Sequence, residues 1–241
     1  MDYRQRFYRD FTRSQRWESY RVKVESTDLF VKTHGNQALR VQTRVRELRG
    51  EIKKHIRRQP EFLGSLLPIN QLPNEPGIVT RMKRAALKAG VGPMAAVAGA
   101  IAEAVGLELA GRSKEVIVEN GGDCFFSLKQ PAVSTIFAGE SLFSGKIAIR
   151  IDSGKTPLAV CTSSGTVGPS YSRGRADAAT IISGNGCLAD ALATGTANII
   201  ASEHDLEAGL EYALNVPGIL GVVLVYKDKL AVKGDVRLLK P

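Results

Sequence analysis

The spacing of hydrophobic and polar positions changes several times along the 241-residue chain. Before residue 35 they alternate, and this pattern predicts a β-hairpin formed by residues 20–24 and 29–32. Apolar residues then recur every three or four positions, which is typical of helices with one buried face. The predicted helices span residues 37–58, 77–89 and 94–109, with a proline-rich loop at 66–76.

Beyond residue 111 the pattern returns to alternation and short apolar runs, followed by further helical spacing. Six strands are predicted, at residues 115–119, 124–128, 134–138, 146–151, 158–162 and 178–183. Helices at 187–202 and 205–215 follow, the second with Asp205 as its N-cap, and a hairpin of 221–226 and 230–233 ends the pattern. This order predicts an α+β fold with a mixed, largely antiparallel sheet and packed helices.

The spacing also predicts which side chains face inward. Two helices have their expected buried positions at Leu39, Val45, Leu48, Ile52 and Ile56, and at Ala189, Leu192, Ala193, Thr196 and Ile199. Helix 94–109 is rich in Ala and Gly, so we expect it to lie close against a sheet or another backbone.

Charge is distributed unevenly along the chain. Residues 1–60 contain 16 Lys/Arg against 7 Asp/Glu, whereas residues 61–241 contain 17 of each, so the N-terminal quarter carries the whole net charge of +9. Such asymmetry is compatible with a polyanion-binding surface or with a solvated helix face. Because no nucleic-acid-binding motif accompanies it, we do not expect nucleic acid as the partner. We treat residues 1–241 as one domain in which 1–75 forms a basic hairpin-plus-helix segment.

Composition and cysteine usage suggest the compartment. The longest apolar stretch, residues 91–107, is interrupted by Glu103, and the first residues show no secretory signal, so we expect no membrane segment. The three cysteines, Cys124, Cys161 and Cys187, are far apart and follow no metal-binding spacing. We therefore expect a cytoplasmic protein with reduced cysteines.

Two glycine-rich segments at strand ends are candidates for ligand contact. Asn120, Gly121, Gly122 and Asp123 follow an apolar strand, and two adjacent glycines allow a ligand to approach main-chain N–H groups. The same residues also suit a plain hairpin turn. The second segment, residues 162–165, comprises Thr162, Ser163, Ser164 and Gly165, whose hydroxyls suit either phosphate contacts or an ordinary loop.

A third candidate lies on the helix predicted at 187–202. Asp190 and Thr194 are four residues apart, so their oxygens lie on one helix face about one turn apart. A carboxylate and a hydroxyl in this arrangement can bind Mg²⁺ or Ca²⁺, with water and phosphate oxygens completing the coordination. A local hydrogen bond or a favourable contact of Asp190 with the first helical turn explains the same spacing. The helix start at Gly92-Pro93 is a further candidate anion site.

Together these segments resemble the ApbE family of FAD:protein FMN transferases in their order along the chain. That family has a Gly-rich helix, a strand ending in Asn-x-Gly-Gly-Asp, a Thr-Ser-Gly turn and a helix opening with Asp-Ala-Leu-(Ala/Ser)-Thr. Here these are residues 92–106, 119–123, 162–165 and 189–194, within a match over roughly 80–215. The resemblance implies an ApbE-like fold, a flavin nucleotide, and Mg²⁺ at Asp190 and Thr194. The chain is most similar to ApbE-related proteins without an established activity.

The chain departs from the family pattern after the Thr-Ser-Gly turn. The family's His-Ile-Ile-Asp-Pro segment is replaced by residues 167–177, in which Tyr171, Arg173 and Arg175 are candidates for contacts to a different ligand. We therefore expect a protein that binds a phosphate-bearing small molecule with Mg²⁺, and transferase chemistry if it is an enzyme. The alternative is a non-catalytic interaction protein that uses the basic helix 37–58. Homo-oligomerisation is left open.

Overall fold

The computed structural model describes residues 16–165 and 174–240. Eleven strands form in this part of the chain. They are β1 (Glu18–Val24), β2 (Thr27–Thr33), β3 (Val116–Asn120), β4 (Asp123–Ser127), β5 (Ala132–Thr135), β6 (Ala148–Ile151), β7 (Leu158–Ser163), β8 (Ala178–Ser183), β9 (Ile219–Tyr226), β10 (Lys229–Gly234) and β11 (Leu238–Leu239).

Six α-helices and three short 3₁₀ turns accompany the strands in the described residues. The helices are α1 (Ala38–Arg58), α2 (Glu61–Gly64), α3 (Gly77–Lys88), α4 (Val97–Ala110), α5 (Gly186–Ile199) and α6 (Leu206–Leu214). The 3₁₀ turns are Pro93–Ala96, Ser153–Lys155 and Glu203–Asp205. The predicted α+β class is confirmed, with the long helices and both terminal hairpins close to their predicted bounds.

The strands form two sheets. The larger sheet has eight strands in the order β1-β2-β3-β4-β7-β8-β9-β10, and the smaller has the order β11-β6-β5. Every pairing between these strands is antiparallel. The β1–β2 hairpin pairs with β3 in the larger sheet. This part of the basic N-terminal segment therefore belongs to the same sheet as the turn that contains Gly121 and Gly122.

Side chains on the two faces of the larger sheet belong to two separate cores. Ile181 and Leu224 pack with the helices, whereas their neighbours Ile182 and Val225 pack with residues of the smaller sheet. This division follows from the strand geometry, since successive side chains point to opposite faces. The fold therefore has three layers, with helices on one face of the large sheet and the small sheet on the other.

The predicted inward faces are mostly correct, with two exceptions. Leu39 is 82% exposed, because Val41 lies one turn before Val45 and takes the buried position on α1. Ile199 is 40% exposed because α5 ends there, and Ile200 is buried in its place.

Two strand boundaries, one helix end and the bonding of one cap differ from prediction. The helix expected at 187–202 is α5, which ends at Ile199. The strand expected at 134–138 is β5 at Ala132–Thr135, and that expected at 146–151 is β6 at Ala148–Ile151. Residues 136–147 instead form a loop with its own hydrogen bonds, including Gly145 N to Ile136 O (2.9 Å). Asp205 occupies the predicted N-cap position of α6, but its side chain forms no cap hydrogen bond with that helix. It accepts instead from the Ser202 N–H (2.7 Å), as the third residue of a capping box on the 3₁₀ turn Glu203–Asp205.

The Gly- and Ala-rich helix packs within the helical layer. By length and composition, Pro93–Ala110 is the one segment of the described residues that could cross a membrane. About 61% of it is buried inside the fold, where α4 contacts α5, β3 and β4. This burial is typical of a core helix.

Candidate functional site

Residues 120–123, called here the double-glycine corner, form a tight hairpin turn between β3 and β4. Asn120 and Asp123 pair across the turn, and Gly121 has a positive φ of 77° that favours glycine. The simple hairpin interpretation of this segment is therefore correct for the backbone.

The corner also packs against two other parts of the site. A Cβ atom on Gly122 would lie 2.5 Å from the backbone oxygen of Thr162, so only glycine fits there. The Thr162 N–H donates to Gly122 O (3.0 Å), and Asn120 Nδ2 donates to Ala98 O (3.1 Å) in the first turn of α4. These contacts fix the corner against the end of β7 and the start of α4.

Asp190 is held at the start of α4 by a hydrogen bond to the backbone. The Gly99 N–H donates to Asp190 Oδ2 at 2.8 Å. Helix α4 has no side-chain cap of its own and no acidic residue in its first turn, so Asp190 supplies the negative charge that a helix N-terminus favours. This contact differs from the one offered as an alternative to metal binding, which was with the first turn of Asp190's own helix.

Helices α4 and α5 cross at two glycines. A Cβ atom on Gly99 would lie 2.3 Å from Gly186 O and 2.7 Å from Asp190 Cβ. Glu103, four residues after Gly99, lies beside the N–H groups of Gly186 and Cys187. In the same way Asp190, four residues after Gly186, lies beside the Gly99 N–H. Each helix therefore presents a carboxyl group to the N-terminus of the other, which confirms the close backbone approach expected from the small residues.

Asp123 and Asp190 form a buried pair of carboxyl groups. The two residues are 7% and 8% exposed. Burial raises the pKa of Asp190 to about 7, although the Gly99 and Ala98 N–H groups act in the opposite direction. Burial, and then repulsion from Asp190, raise the pKa of Asp123 well above its usual value. Asp123 Oδ1 has no hydrogen-bond partner among the described residues.

Thr194 brings the hydroxyl-rich segment to the same place. Its Oγ1 donates to Ser163 Oγ at 3.4 Å, and Ser163 and Ser164 are both buried. Thr162 is half-buried and shares a hydrogen bond between hydroxyls with Thr180 (2.9 Å). Thr194 therefore contacts the end of β7, while Asp190, one turn earlier on α5, contacts the start of α4.

The remaining sequence candidates are placed differently. The helix start at Gly92-Pro93 is covered, because a Cβ atom on Gly92 would meet the Ser65 backbone oxygen at 1.7 Å. Gly165 is exposed at the end of its segment. Arg175 is exposed and its N–H donates to Ile200 O (2.7 Å). Tyr171 and Arg173 lie outside the described residues.

Four residues of this site were not predicted from the sequence. They are Gly99, Glu103, Cys161 and Gly186. Gly99, Glu103 and Gly186 could have been found from a repeated pattern, in which a glycine is followed four residues later by an acidic residue, at 99/103 and at 186/190. Cys161 is buried, lies beside Asp123 and donates from Sγ to Gly186 O (3.6 Å), and burial raises the pKa of its thiol well above its usual value. It is therefore a structural cysteine rather than a nucleophile.

Comparison with solved structures shows the fold. The apo flavinyl transferase ApbE of Pseudomonas stutzeri matches with a TM-score of 0.55 and 13% identity, over 90% of this chain and 94% of that one. The flavin transferase ApbE of Vibrio cholerae matches with a TM-score of 0.51 and 14% identity, over 90% and 97%. The three-layer fold is thus the fold of the ApbE flavin transferases.

Comparison of sequences shows the family. A family model described as "AbpE bacteria" matches residues 9–213, and the chain belongs to this ApbE-like family. A UPF0280 protein of Methanocella arvoryzae is 43% identical over 188 residues, which are 78% of this chain and 76% of the relative. A UPF0280 protein of Methanocaldococcus jannaschii is 34% identical over 226 residues, which are 91% and 92%. The resemblance inferred from the motifs is confirmed.

Proposed function

We propose that this protein binds a phosphate-bearing small molecule, a flavin nucleotide in the first instance, together with Mg²⁺ held by Asp190 and Thr194. The observation that carries the proposal is the buried acid pair of Asp123 and Asp190 beside the hydroxyls of Thr194 and Ser163. Similarity of fold to flavin transferases supports flavin as the first ligand to test.

The donor set fits a hard divalent cation. Neither Asp123 nor Asp190 forms an ion pair with a Lys or Arg among residues 16–165 and 174–240, so the described residues supply no counter-charge to these two buried carboxyl groups. The described residues contain no cluster of three or more His, Cys, Asp or Glu side chains suited to a metal. Mg²⁺ needs only one or two carboxylates, since water and phosphate oxygens complete its shell.

The surrounding residues suit the phosphate part of a ligand. Residues 120–123 bring main-chain groups of the glycine corner to the acid pair, and residues 162–165 bring hydroxyls from the end of β7. When bound, Mg²⁺ would neutralise phosphoryl charge. The protein's own residues would orient the ligand: Gly99 N–H fixes one oxygen of Asp190, and Ser163 fixes the Thr194 hydroxyl. A flavin- or nucleotide-dependent transfer is the activity that such a site would support.

Calorimetry with FAD, FMN and ATP tests this proposal, with and without Mg²⁺. We expect Mg²⁺-dependent binding of at least one nucleotide, and loss of that dependence in Asp190→Asn. Asp228→Asn is the control, because Asp228 lies in the exposed β9–β10 turn and its side chain is 60% exposed. No binding by the wild type, or equal binding by Asp190→Asn, would defeat the proposal.

A second candidate function is a non-catalytic interaction through the basic N-terminal segment. A groove of about 540 Å³ between α1 and α3 favours it, with Arg44, Arg81 and Arg84 in its lining. Arg84 is exposed and forms no ion pair with a described residue, but Arg44 pairs with Glu47 and Arg81 with Glu103. This internal pairing leaves less positive charge for a partner than the sequence suggested.

Electrophoretic mobility at low and high salt tests the second candidate with short DNA and RNA. Phosphate contacts would give a shift at low salt that weakens steeply as salt rises. Absence of any shift at low salt would eliminate the nucleic-acid version.

A further inference from the structure

Asp123 has an unusual combination of burial and missing partners. It is the first residue of β4 and is 7% exposed, and its Oδ1 makes no hydrogen bond with a described residue. The Cys161 thiol and the Thr162 N–H lie beside the carboxyl group, but they donate to Gly186 O and Gly122 O. Buried polar atoms without partners are uncommon in native folds, since an unsatisfied buried group loses its hydrogen bonds to water and gains none in return.

The fold directs this carboxyl group towards the helix that carries Asp190. Asp123 pairs with Cys161 across β4 and β7, and the Cys161 thiol in turn donates to Gly186 O, one helical turn before Asp190. Asn120, in the same corner as Asp123, donates to Ala98 O, and the next residue of α4, Gly99, donates to Asp190 Oδ2. One carboxyl group from the sheet and one from the helical layer therefore lie buried at the same corner of the fold.

The described residues supply no balancing charge for this arrangement. Both carboxyl groups are buried, and no Lys or Arg of the described residues forms an ion pair with either of them. A divalent cation would supply both the missing charge and the missing partner of Asp123 Oδ1.

We propose that Asp123 is a further protein ligand of the divalent cation, so that the cation is held by Asp123 from the sheet and by Asp190 and Thr194 from α5. This inference rests on the proposed function, and it adds a residue from a different layer of the fold. The cation then links β4 to α5 at the double-glycine corner and stabilises the folded protein by mass action.

Binding of Mn²⁺ to the full chain without nucleotide tests the inference, by electron paramagnetic resonance of free Mn²⁺ and by thermal unfolding. The variants are Asp123→Asn and Asp190→Asn, with Asp228→Asn as the control. We expect Asp123→Asn to weaken Mn²⁺ binding by at least tenfold, which is the lower bound typical of altered residues around a metal. The metal-induced rise in Tm should disappear with it.

The metal-free proteins give the structural control. Asn keeps the size of Asp, and removing one of two repelling groups should leave the metal-free Tm of Asp123→Asn at or above that of the wild type. If this variant does not fold, the smaller Asp123→Ser replaces it in the same assay.

The outcomes separate the inference from the proposed function. If Asp190→Asn loses Mn²⁺ and Asp123→Asn binds it as the wild type does, the inference is overturned and the proposed function stands. If the wild type binds no Mn²⁺ with or without FAD, both are overturned. Loss in both aspartate variants, with the control unchanged, supports both.

Discussion

At the scale of single residues, Gly99 sets the distance between α4 and α5. Its missing side chain allows Gly186 O and Asp190 to approach, and its N–H holds Asp190 Oδ2. The small residues of α4 predict that this helix lies close to another backbone, but they do not identify which backbone that is. Gly99 and Gly186 are far apart in the chain, and only the packing of the layers brings them together.

Gly99→Ala should destabilise the protein. The added methyl group would overlap Gly186 O and Asp190 Cβ, and overpacking of this kind costs about 1–3 kcal/mol. Gly50→Ala is the matched control, because Gly50 lies in α1 with nothing within 4 Å of its Cβ position, and it should stabilise by about 0.5–1 kcal/mol. Urea unfolding measures the change in the free energy of unfolding for both variants. Equal changes of the same sign would contradict the close approach of α4 and α5 at Gly99.

Glu115 should make stability depend on pH below about 4.5. Burial acts to raise its pKa, but hydrogen bonds from Arg16, from the N–H groups of Lys129 and Gln130 and from His34 outweigh it and lower the pKa to about 2. Because the folded-state pKa lies below the unfolded value, this stabilisation is fully present above about pH 4.5. It is lost as the pH falls towards 2.

Glu115→Gln tests this linkage. The variant should be less stable than the wild type by about 3 kcal/mol at pH 6, because the pKa is lowered from 4.5 to about 2 and each pKa unit corresponds to about 1.4 kcal/mol. The difference should shrink as the pH is lowered from 4.5 to 2, measured by urea unfolding across that range. A difference that is constant with pH would show that the carboxylate charge is not responsible.

At the scale of elements, the cap of α5 determines where Asp190 and Thr194 project. Asn185 Oδ1 accepts a hydrogen bond from the Leu188 N–H at 2.9 Å, which fixes the first turn of the helix. Helix spacing predicted the body of α5, but the prediction began one residue late and included Ile199 in the buried face. The ends of a helix depend on its caps and on where the chain leaves the core. The periodicity of apolar residues contains no information about either.

Asn185→Ala should cost about 1 kcal/mol of unfolding free energy, because the first turn loses its side-chain cap. Asn185→Asp keeps an acceptor at the same position and should retain most of the stability. Denaturant unfolding compares the two variants with the wild type. If Asn185→Ala and Asn185→Asp were equally destabilising, the cap would not explain the effect.

At the scale of the whole molecule, a buried ion pair attaches the proline-rich loop to the helical layer. Lys83 on α3 bonds to Glu75, to Gln59 and to Asn70 O (2.8 Å), and the Lys83 and Glu75 side chains are 1% and 2% exposed. The three prolines of this segment predicted a linker or an ordered loop. The pair itself could not be predicted, since lysine and glutamate are normally placed at the surface.

Lys83→Met should destabilise the fold by about 3–5 kcal/mol, because it leaves Glu75 buried without its partner. The double variant Lys83→Met/Glu75→Gln should recover part of this loss. Urea unfolding of the single and double variants measures the coupling. A double variant no more stable than Lys83→Met would show that the unpaired charge is not the cause.

Whole-molecule packing also explains which parts of the site were predictable. The three motifs at residues 120–123, 162–165 and 190–194 were found from the sequence because each has local spacing or composition. Their convergence followed from the family resemblance rather than from physics. The roles of Glu103 and Cys161 needed coordinates, since their contacts cross between layers.

Anomalous diffraction from crystals grown with Mn²⁺ and FAD tests the proposed site most directly. An anomalous peak should lie within coordination distance of the carboxylate oxygens of Asp190 and the hydroxyl of Thr194, with ligand phosphate density beside it. A peak elsewhere, or none at full occupancy of bound nucleotide, would contradict the assignment of the cation to this corner of the fold.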